Sequence, residues 1–296
     1  MTKIFYSLLT LILFSPQLSL GWGVKGHQIV ALIAQERLSP KAKEKIAAIL
    51  GPGVGLGDIA VCADEIKRVP ADCAGAFELP AMPESSPWHY VNVLVHESPR
   101  EIYLKLQSSY YCNQGGSKNC VVDQIGEDLK VLKSRRAALI ENQIALMFLV
   151  HFVGDIHQPL HSAAELAADA DNDKGGLKKT VWLGRKTNLH AAWDSLVLAR
   201  EELQGVDPES LAEELAGQIT DEDAASWVNG DIALQSAYES TLLARNIIYP
   251  RYHRDAADGG RVVLGRDYQD EMSPIIRLRL KQAGARLAHL IEKALD

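Results

Sequence analysis

The sequence predicts a mainly α-helical protein that forms a single domain with little β-sheet. Apolar residues recur at helical spacing over most of the 296 residues, a pattern typical of helices with at least one buried face. The predicted helices are residues 28–38, 41–50, 122–158, 190–203, 208–227, 230–248 and 274–295. Pro40 fits a first helical turn, and Pro159 disfavours the helical state of the residue before it.

Two segments between the helices have a different character. Residues 64–99 are rich in proline and irregular in pattern, which predicts a long surface loop of the kind that carries function. Residues 167–189 contain a turn-forming run from Asp171 to Gly176 and then Thr180, Val181 and Trp182. This order predicts a turn that leads into a small β-hairpin.

Residues 1–21 have the pattern of a secretory signal peptide. Lys3 provides a positive start, residues 4–14 are apolar, and Ser19 and Gly21 are small residues before a cleavage site. The alternative is a membrane anchor, but this apolar stretch is shorter than the ~20 residues that span a bilayer. We therefore predict that Trp22 becomes the N-terminus.

The predicted mature chain, residues 22–296, has no membrane anchor and is secreted or periplasmic. Its four cysteines favour disulfides, because an even number in an exported protein is typical of cross-links. Cys62 with Cys73 and Cys112 with Cys120 are the favoured pairs among three possible connectivities.

The residues that carry chemistry begin with an apolar run, residues 145–161. His151 and Asp155 lie in this run and share one helix face, because they are four residues apart. Burying both groups is costly unless each has a partner. A metal ion is one such partner, and a simple buried His–Asp hydrogen bond is the alternative for this pair taken alone.

Further imidazole and carboxylate groups favour the metal. His161 follows Pro159, and His190 with Asp194 repeats the spacing of four residues. His27 lies near the predicted N-terminus, and Asp64 and His89 lie in the irregular segment. Nitrogen and oxygen ligands without thiolates are typical of catalytic zinc, which keeps a position open for water.

These residues resemble a known family, the type I nucleases, which are trinuclear-zinc, single-strand-specific nucleases and 3′-nucleotidases. The resemblance covers most of residues 22–296, and the fold of the family is related to zinc-dependent phospholipase C. Its motifs here are Trp22-Gly23 with Lys25-Gly26-His27, Ala63-Asp64-Glu65, residues 87–92, His151-Phe152-Val153-Gly154-Asp155, residues 158–161 and residues 188–194.

The resemblance implies three zinc ions. The first is implied to bind Asp64, His89, His151 and Asp155, and the second His161, His190 and Asp194. The third is implied to bind His27, Asp155 as a bridging carboxylate, and the free amine and carbonyl oxygen of Trp22. This last site requires signal cleavage, because a peptide nitrogen is a far poorer zinc ligand than a terminal amine.

The candidate catalytic residues are Asp64 and Lys67, one helical turn apart. Lys67 either stabilises negative charge on the phosphate or is an ordinary solvated lysine. Tyr90 and Asn92 are candidate substrate-binding residues that stack on a base and hydrogen-bond to it; the alternatives are a packed tyrosine and a turn asparagine.

Two positions depart from the family. Cys62 stands where relatives usually have tryptophan, and a Cys62–Cys73 disulfide can instead fix Asp64. Asn92 stands where several relatives have aspartate, so the family's base preference does not transfer. The Cys112–Cys120 pair fits a local disulfide of the family, with a longer loop between its cysteines.

The activity implied by the resemblance is hydrolysis of single-stranded DNA and RNA, and of 3′-nucleotides, at the 3′ O–P bond to leave 5′-phosphates. The net charge of −7 is an objection, because polyanion-binding proteins are usually basic. Three zinc ions beside three aspartates can make the pocket locally positive. The alternatives are a zinc-dependent phospholipase C and a non-catalytic zinc-binding protein, and no stable protein partner is evident.

Overall fold

The computed structural model describes residues 22–113, 119–166, 171–195, 206–257 and 259–296. Helices form most of this part of the chain, and two antiparallel two-stranded sheets accompany them. The predicted mainly α-helical class is confirmed. The predicted signal peptide, residues 1–21, lies outside the described residues, as do residues 167–170 of the predicted turn and residues 196–203 of a predicted helix.

Within the described residues the α-helices have the following bounds, and α8 is described only as far as residue 195. They are α1 (Gly23–Arg37), α2 (Pro40–Leu50), α3 (Leu56–Ile59), α4 (Cys62–Glu65), α5 (Pro99–Gln107), α6 (Val121–Lys133), α7 (Leu139–His157), α8 (residues 189–195), α9 (Pro208–Gly217), α10 (Asp221–Trp227), α11 (Ile232–Leu243), α12 (Tyr249–Ala256) and α13 (Arg266–Leu295). Two 3₁₀ helices span Pro83–His89 and Pro159–Ser162, and a π-helical turn spans Ala244–Ile248.

Two long helices predicted from the sequence are each divided. The predicted helix 122–158 is α6 and α7, because residues between Ser134 and Ala138 leave the helical conformation. A carboxylate oxygen of Glu141 accepts the N–H of Ala138 at 2.7 Å and so stabilises the start of α7. The predicted helix 208–227 is likewise divided by Thr220, whose hydroxyl caps α10.

Helix α7 is the central element of the fold. It packs against α1, α6, α11 and α13. By length and composition α7 is apolar enough to cross a membrane, and 72% of its most apolar window is buried within the protein. Its apolar surface is instead covered by other helices, as expected for a core helix.

The segment predicted as an irregular loop contains regular structure. Strands β1 (Ala71–Cys73) and β2 (Phe77–Leu79) form a short hairpin. The Cys62–Cys73 disulfide joins this hairpin to α4, and Cys112–Cys120 is the second disulfide. Both favoured cysteine pairings are confirmed.

The predicted hairpin near residue 180 is confirmed. Strands β3 (Thr180–Leu183) and β4 (Arg185–Asn188) pair in antiparallel register, with Trp182 opposite Lys186. Gly184 connects the strands with a φ of +66°, which glycine adopts readily. Strand β4 leads directly into α8, so the hairpin fixes where α8 begins.

A buried ionic network joins α11 and α13 behind α7. Arg279 and Arg286 are almost fully buried, and both guanidinium groups donate to the carboxylate of Glu239. Arg279 also donates to the backbone oxygen of His157, and Arg286 donates to its Nε2. Two cations therefore bind the C-terminal end of α7, where the helix dipole is negative.

The charge of Glu239 holds this network together. Burial opposes its ionisation, but Arg286 and Arg279 outweigh this effect and lower its pKa from 4.5 to about 2. Glu239→Gln should lower the free energy of unfolding by about 3–5 kcal/mol, because two buried guanidinium groups lose their counter-ion. Urea denaturation measures the change.

The difference in unfolding free energy between the wild type and Glu239→Gln should depend on pH. A carboxyl group whose pKa is lowered by folding stabilises the protein at pH values above its pKa in the unfolded chain. This stabilisation is lost as the pH falls through its pKa in the folded protein. The difference between wild type and Glu239→Gln should therefore shrink from pH 4.5 towards about 2. Lys41→Ala, which breaks an exposed ion pair with Asp296, should change stability by less than about 1 kcal/mol. Equal effects of the two substitutions would contradict the role of Glu239.

Candidate metal centre

The centre of the candidate site is Asp155 on α7. Its Oδ2 lies 2.9 Å from His89 Nδ1 and 3.2 Å from His151 Nε2. Its Oδ1 lies 3.4 Å from both His27 Nε2 and His161 Nδ1. All five residues are buried. A carboxylate shielded from water therefore has imidazoles from four segments of the chain around it.

Asp64 completes the cluster together with His190 and Asp194, which both lie on α8. Asp64 Oδ1 lies 3.5 Å from His151 Nε2. Asp194 Oδ1 lies 3.9 Å from His161 Nε2, and its Oδ2 lies 4.0 Å from His190 Nε2. The structure thus brings together all eight side chains that the sequence predicts as metal ligands.

The donor set fits metal ions. Three groups have donor atoms within 4.8 Å of one another: His27, His151 and Asp155; Asp64, His89 and His151; and His161, His190 and Asp194. The atoms without a hydrogen-bond partner include Nε2 of His27, His89, His151 and His161, Oδ2 of Asp64 and Oδ1 of Asp155. Unpaired buried polar atoms are costly, so their concentration at one place indicates a bound group.

Backbone oxygens hold three of the imidazoles in orientation. The Nδ1 atoms of His151, His161 and His190 lie 2.8, 2.8 and 2.9 Å from the carbonyl oxygens of Ala60, His89 and Gly175. A carbonyl accepts only from a protonated nitrogen, so Nε2 is the atom of each ring that can bind a metal ion once it carries no proton. Such outer contacts orient metal ligands and fix their tautomers.

The protonation states of His89, His190 and Asp155 also suit metal ions. Burial lowers the pKa of His89 to about 4, and burial together with His161 lowers the pKa of His190 to about 3. Burial disfavours the ionised form of Asp155, but His151 and His161 outweigh it and hold the pKa of this carboxyl well below its ordinary value. Neutral imidazoles and ionised carboxylates are the forms that bind metals. His151 differs, because burial lowers its pKa but the charges of Asp155 and Asp64 outweigh this effect and raise it to about 10. An ion that binds to this imidazole must therefore displace its proton.

Three further residues that the sequence did not single out as functional shape the cluster. Gln158 is fully buried, and its Nε2 donates to Asp194 Oδ1 at 2.7 Å. A Cβ atom on Gly154 would lie 2.5 Å from Nδ1 of His27. A Cβ atom on Gly175 would lie 2.2 Å from the backbone oxygen of Leu160. The two glycines thus provide space that a side chain would fill.

Trp22 lies beside the cluster. It is 1% exposed and directly precedes α1, the helix that carries His27. A Cβ atom on the next residue, Gly23, would lie 3.1 Å from the backbone oxygen of Asp194. The predicted N-terminus therefore packs against the segment that holds one of the candidate ligands.

An open pocket of about 240 Å³ adjoins the cluster. His89, His161 and His190 line it together with the predicted residues Lys67, Tyr90 and Asn92. The ammonium group of Lys67 donates to Asp64 Oδ1, so this lysine is not simply solvated. Tyr90 is 40% exposed, which leaves part of its ring open to a ligand.

The pocket also contains residues that the sequence did not single out. Ser86, Asn172, Lys174 and Leu177 contribute to its wall. Asn172 and Lys174 belong to the turn-forming run that was predicted only as the entry to a hairpin. Their proximity to His190 depends on a contact between Gly175 and this histidine, which local sequence patterns do not reveal.

A sequence profile described as S1/P1 nuclease matches residues 22–296. The chain belongs to the S1/P1 nuclease family. Endonuclease 4 of Arabidopsis thaliana is 30% identical over 291 residues, covering 93% of this chain and 89% of the relative. Nuclease P1 of Penicillium citrinum is 28% identical over 290 residues, covering 92% and 97%. The resemblance to nucleases is confirmed.

Membership in the S1/P1 nuclease family makes this protein a hydrolase that acts on nucleic acids. Endonuclease 2 of Arabidopsis thaliana, 29% identical over 287 residues, covers 92% of this chain and 90% of the relative. The similarity is therefore spread along the S1/P1 nuclease domain. The described residues include the His/Asp groups that can hold metal ions in this S1/P1 nuclease.

The lack of space beside Gly154 should make the protein sensitive to substitution there. Gly154→Ala should destabilise the protein by about 1–3 kcal/mol, because the added methyl group overpacks His27. A Cβ atom on Gly126 of α6 would meet open space. Gly126→Ala should therefore stabilise the protein by about 0.5–1 kcal/mol, because alanine favours the helix more than glycine does. Denaturation midpoints of both variants provide the measurement. Equal stabilisation by both would show that His27 does not need this space.

Proposed function

We propose that this protein is an exported, zinc-dependent nuclease that hydrolyses single-stranded DNA and RNA and also 3′-nucleotides. The observation that carries the proposal is the convergence of eight buried imidazole and carboxylate groups in one cluster, three of which line the adjoining pocket. Many of their donor atoms lack any other partner. Metal ions held by these groups would attract a phosphate, and the exposed ring of Tyr90 in the adjoining pocket can stack on a base. This combination suits a nucleotide substrate.

The proposed ligand sets divide these groups among three zinc ions. Asp64, His89, His151 and Asp155 would hold the first ion, and His161, His190 and Asp194 the second. His27, Asp155 and Trp22 would hold the third. Support comes from the separations between Asp155 and its four imidazole neighbours, which are at most 3.4 Å. Side-chain donors already this close need only small movements to share an ion.

The third set depends on the N-terminus. We propose that cleavage after Gly21 frees the amine of Trp22 as a ligand. Trp22 is buried beside α1, and the family match begins at this residue. Two disulfides also suit an oxidising compartment. These observations support a secreted or periplasmic protein.

The residues of the pocket have separate proposed roles. Lys67 keeps its ammonium group beside Asp64, where it can hold charge that develops on the phosphate. Tyr90 offers a ring for stacking, and Asn92 offers a side-chain amide to a base. Bound zinc would supply an activated water molecule and polarise the phosphoryl oxygen.

Preference for single strands follows from the size of the pocket. A space of about 240 Å³ can receive one base only after that base has left its stack, and unstacking is least costly in a single strand. Stacking on Tyr90 tolerates different bases, because every base has a π-face. We therefore propose activity on both DNA and RNA, with cleavage of the 3′ O–P bond as in the family that the sequence resembles.

Removal of metal tests the central proposal. The mature protein should hold three zinc ions, cleave single-stranded DNA faster than duplex DNA, and lose activity with chelator until zinc is restored. Asp155→Asn should lose most of the metal and reduce activity at least about 1,000-fold, because it disrupts two proposed ligand sets. Asp128→Asn, which changes a buried carboxyl outside the donor groups, should keep both. Full activity after complete metal removal would refute the proposal.

Extension of the N-terminus tests the third ligand set. A chain that begins at Trp22 should bind one more zinc ion than the same chain with Gly21 retained, because the amine is then an amide. N-terminal sequencing and metal analysis of both proteins provide the measurement. Identical zinc content would remove Trp22 from the ligands and leave the other two sets in place.

A further inference from the structure

The loop at residues 171–176 holds one lysine in an unusual position. Lys174 has a φ of +53°, a left-handed conformation that residues other than glycine and asparagine seldom adopt. This residue lines the pocket beside the candidate metal centre. Strained backbone tends to persist where function or the surrounding structure maintains it.

Contacts on both sides of Lys174 fix this loop. Its own N–H donates to Asn172 Oδ1 at 2.9 Å. Asp173 is buried, and its Oδ1 accepts the N–H of Glu165 at 2.9 Å and the hydroxyl of Tyr249 at 3.0 Å. On the other side, the backbone oxygen of Gly175 is bonded to the ring of a candidate ligand. The loop therefore holds the backbone of Lys174 in a fixed place at the pocket.

The ammonium group of Lys174 is open to solvent. In the described part of the chain, no ion pair or hydrogen bond engages its ammonium group, and the side chain is exposed. The carboxylate of Asp171 in the same loop instead binds Lys178 at 2.6 Å, and the charge of Lys174 is only a smaller cause of the lowered pKa of Asp171. Lys67, the other lysine of the pocket, donates to Asp64. Lys174 is thus the lysine of the pocket that is available to an incoming anion.

We propose that Lys174 is a substrate-binding residue whose ammonium group contacts a phosphate of the nucleic acid. This inference rests on the proposed nuclease function and adds a residue to its binding site. A lysine contributes a compact charge with three donors, so it binds phosphate without regard to the base. It should therefore strengthen substrate binding uniformly across sequences, with little effect on the chemical step.

The phosphate has two possible sources, the scissile group itself or its neighbour along the strand. A 3′-mononucleotide carries only the phosphate that is cleaved, whereas an oligonucleotide carries both. Loss of affinity for both substrates in a Lys174 variant identifies the scissile phosphate. Loss confined to the oligonucleotide identifies the neighbouring one. Both results support the proposal.

The test compares Lys174→Met with Lys178→Met. Both variants remove one positive charge from the same segment, but Lys178 is not among the residues that line the pocket. Lys174→Met should raise KM about 5–10-fold on single-stranded DNA with kcat nearly unchanged, as expected for loss of one phosphate contact. Lys174→Arg should restore most of the affinity, because it keeps the charge.

Binding measured without turnover provides an independent readout. The affinity for a non-cleavable phosphorothioate oligonucleotide falls with salt, and loss of one contact should reduce the slope of log K against log salt by about 0.7. The expected reduction occurs in Lys174→Met and not in Lys178→Met. Equal slopes and equal KM values in the two variants, with an active wild type, would overturn the role of Lys174 alone. A wild type inactive on every nucleic acid would instead overturn the proposed function.

Discussion

The structure depends on one buried carboxylate. Asp155 lies in α7, the most apolar helix of the described residues, fully shielded from water, with imidazoles of four different segments within 3.4 Å. An ionised group in such a place is stable only if other charges or ions compensate it. The positions of α1, the two 3₁₀ helices and α7 are therefore coupled to the chemistry of this one side chain.

The surroundings of Asp155 keep its neighbours in place from two directions. Around the cluster, backbone oxygens of Ala60 and Gly175 and the amide of Gln158 orient the donors. On the far side, Arg279 and Arg286 bind the end of α7 at His157, only two residues beyond the carboxylate. A rigid helix end between these contacts gives the cluster little freedom to rearrange, which is the condition for donors that must meet one geometry.

The sequence predicts those parts of the molecule whose signals are local. The spacing of His151 and Asp155 within an apolar run indicates the central helix, and the local spacing of the cysteines favours both disulfides among three possible connectivities. The division at residues 134–138, the hairpin at 71–79 and the arginine network depend on packing between distant segments, which periodicity does not encode. The position of Lys174 cannot be predicted for the same reason, because only the folded chain brings this turn lysine into one pocket with His190.

Gly154 and Gly175 limit how this centre can diverge. Each lies where the smallest side chain would collide with a donor ring or with the backbone next to it. Evolution or protein design can exchange a peripheral donor such as Asp194 without changing the packing at either glycine. Enlarging either glycine would require several compensating changes at once, so new metal preferences in this scaffold should arise through its donors and its rim, while both glycines are inherited unchanged.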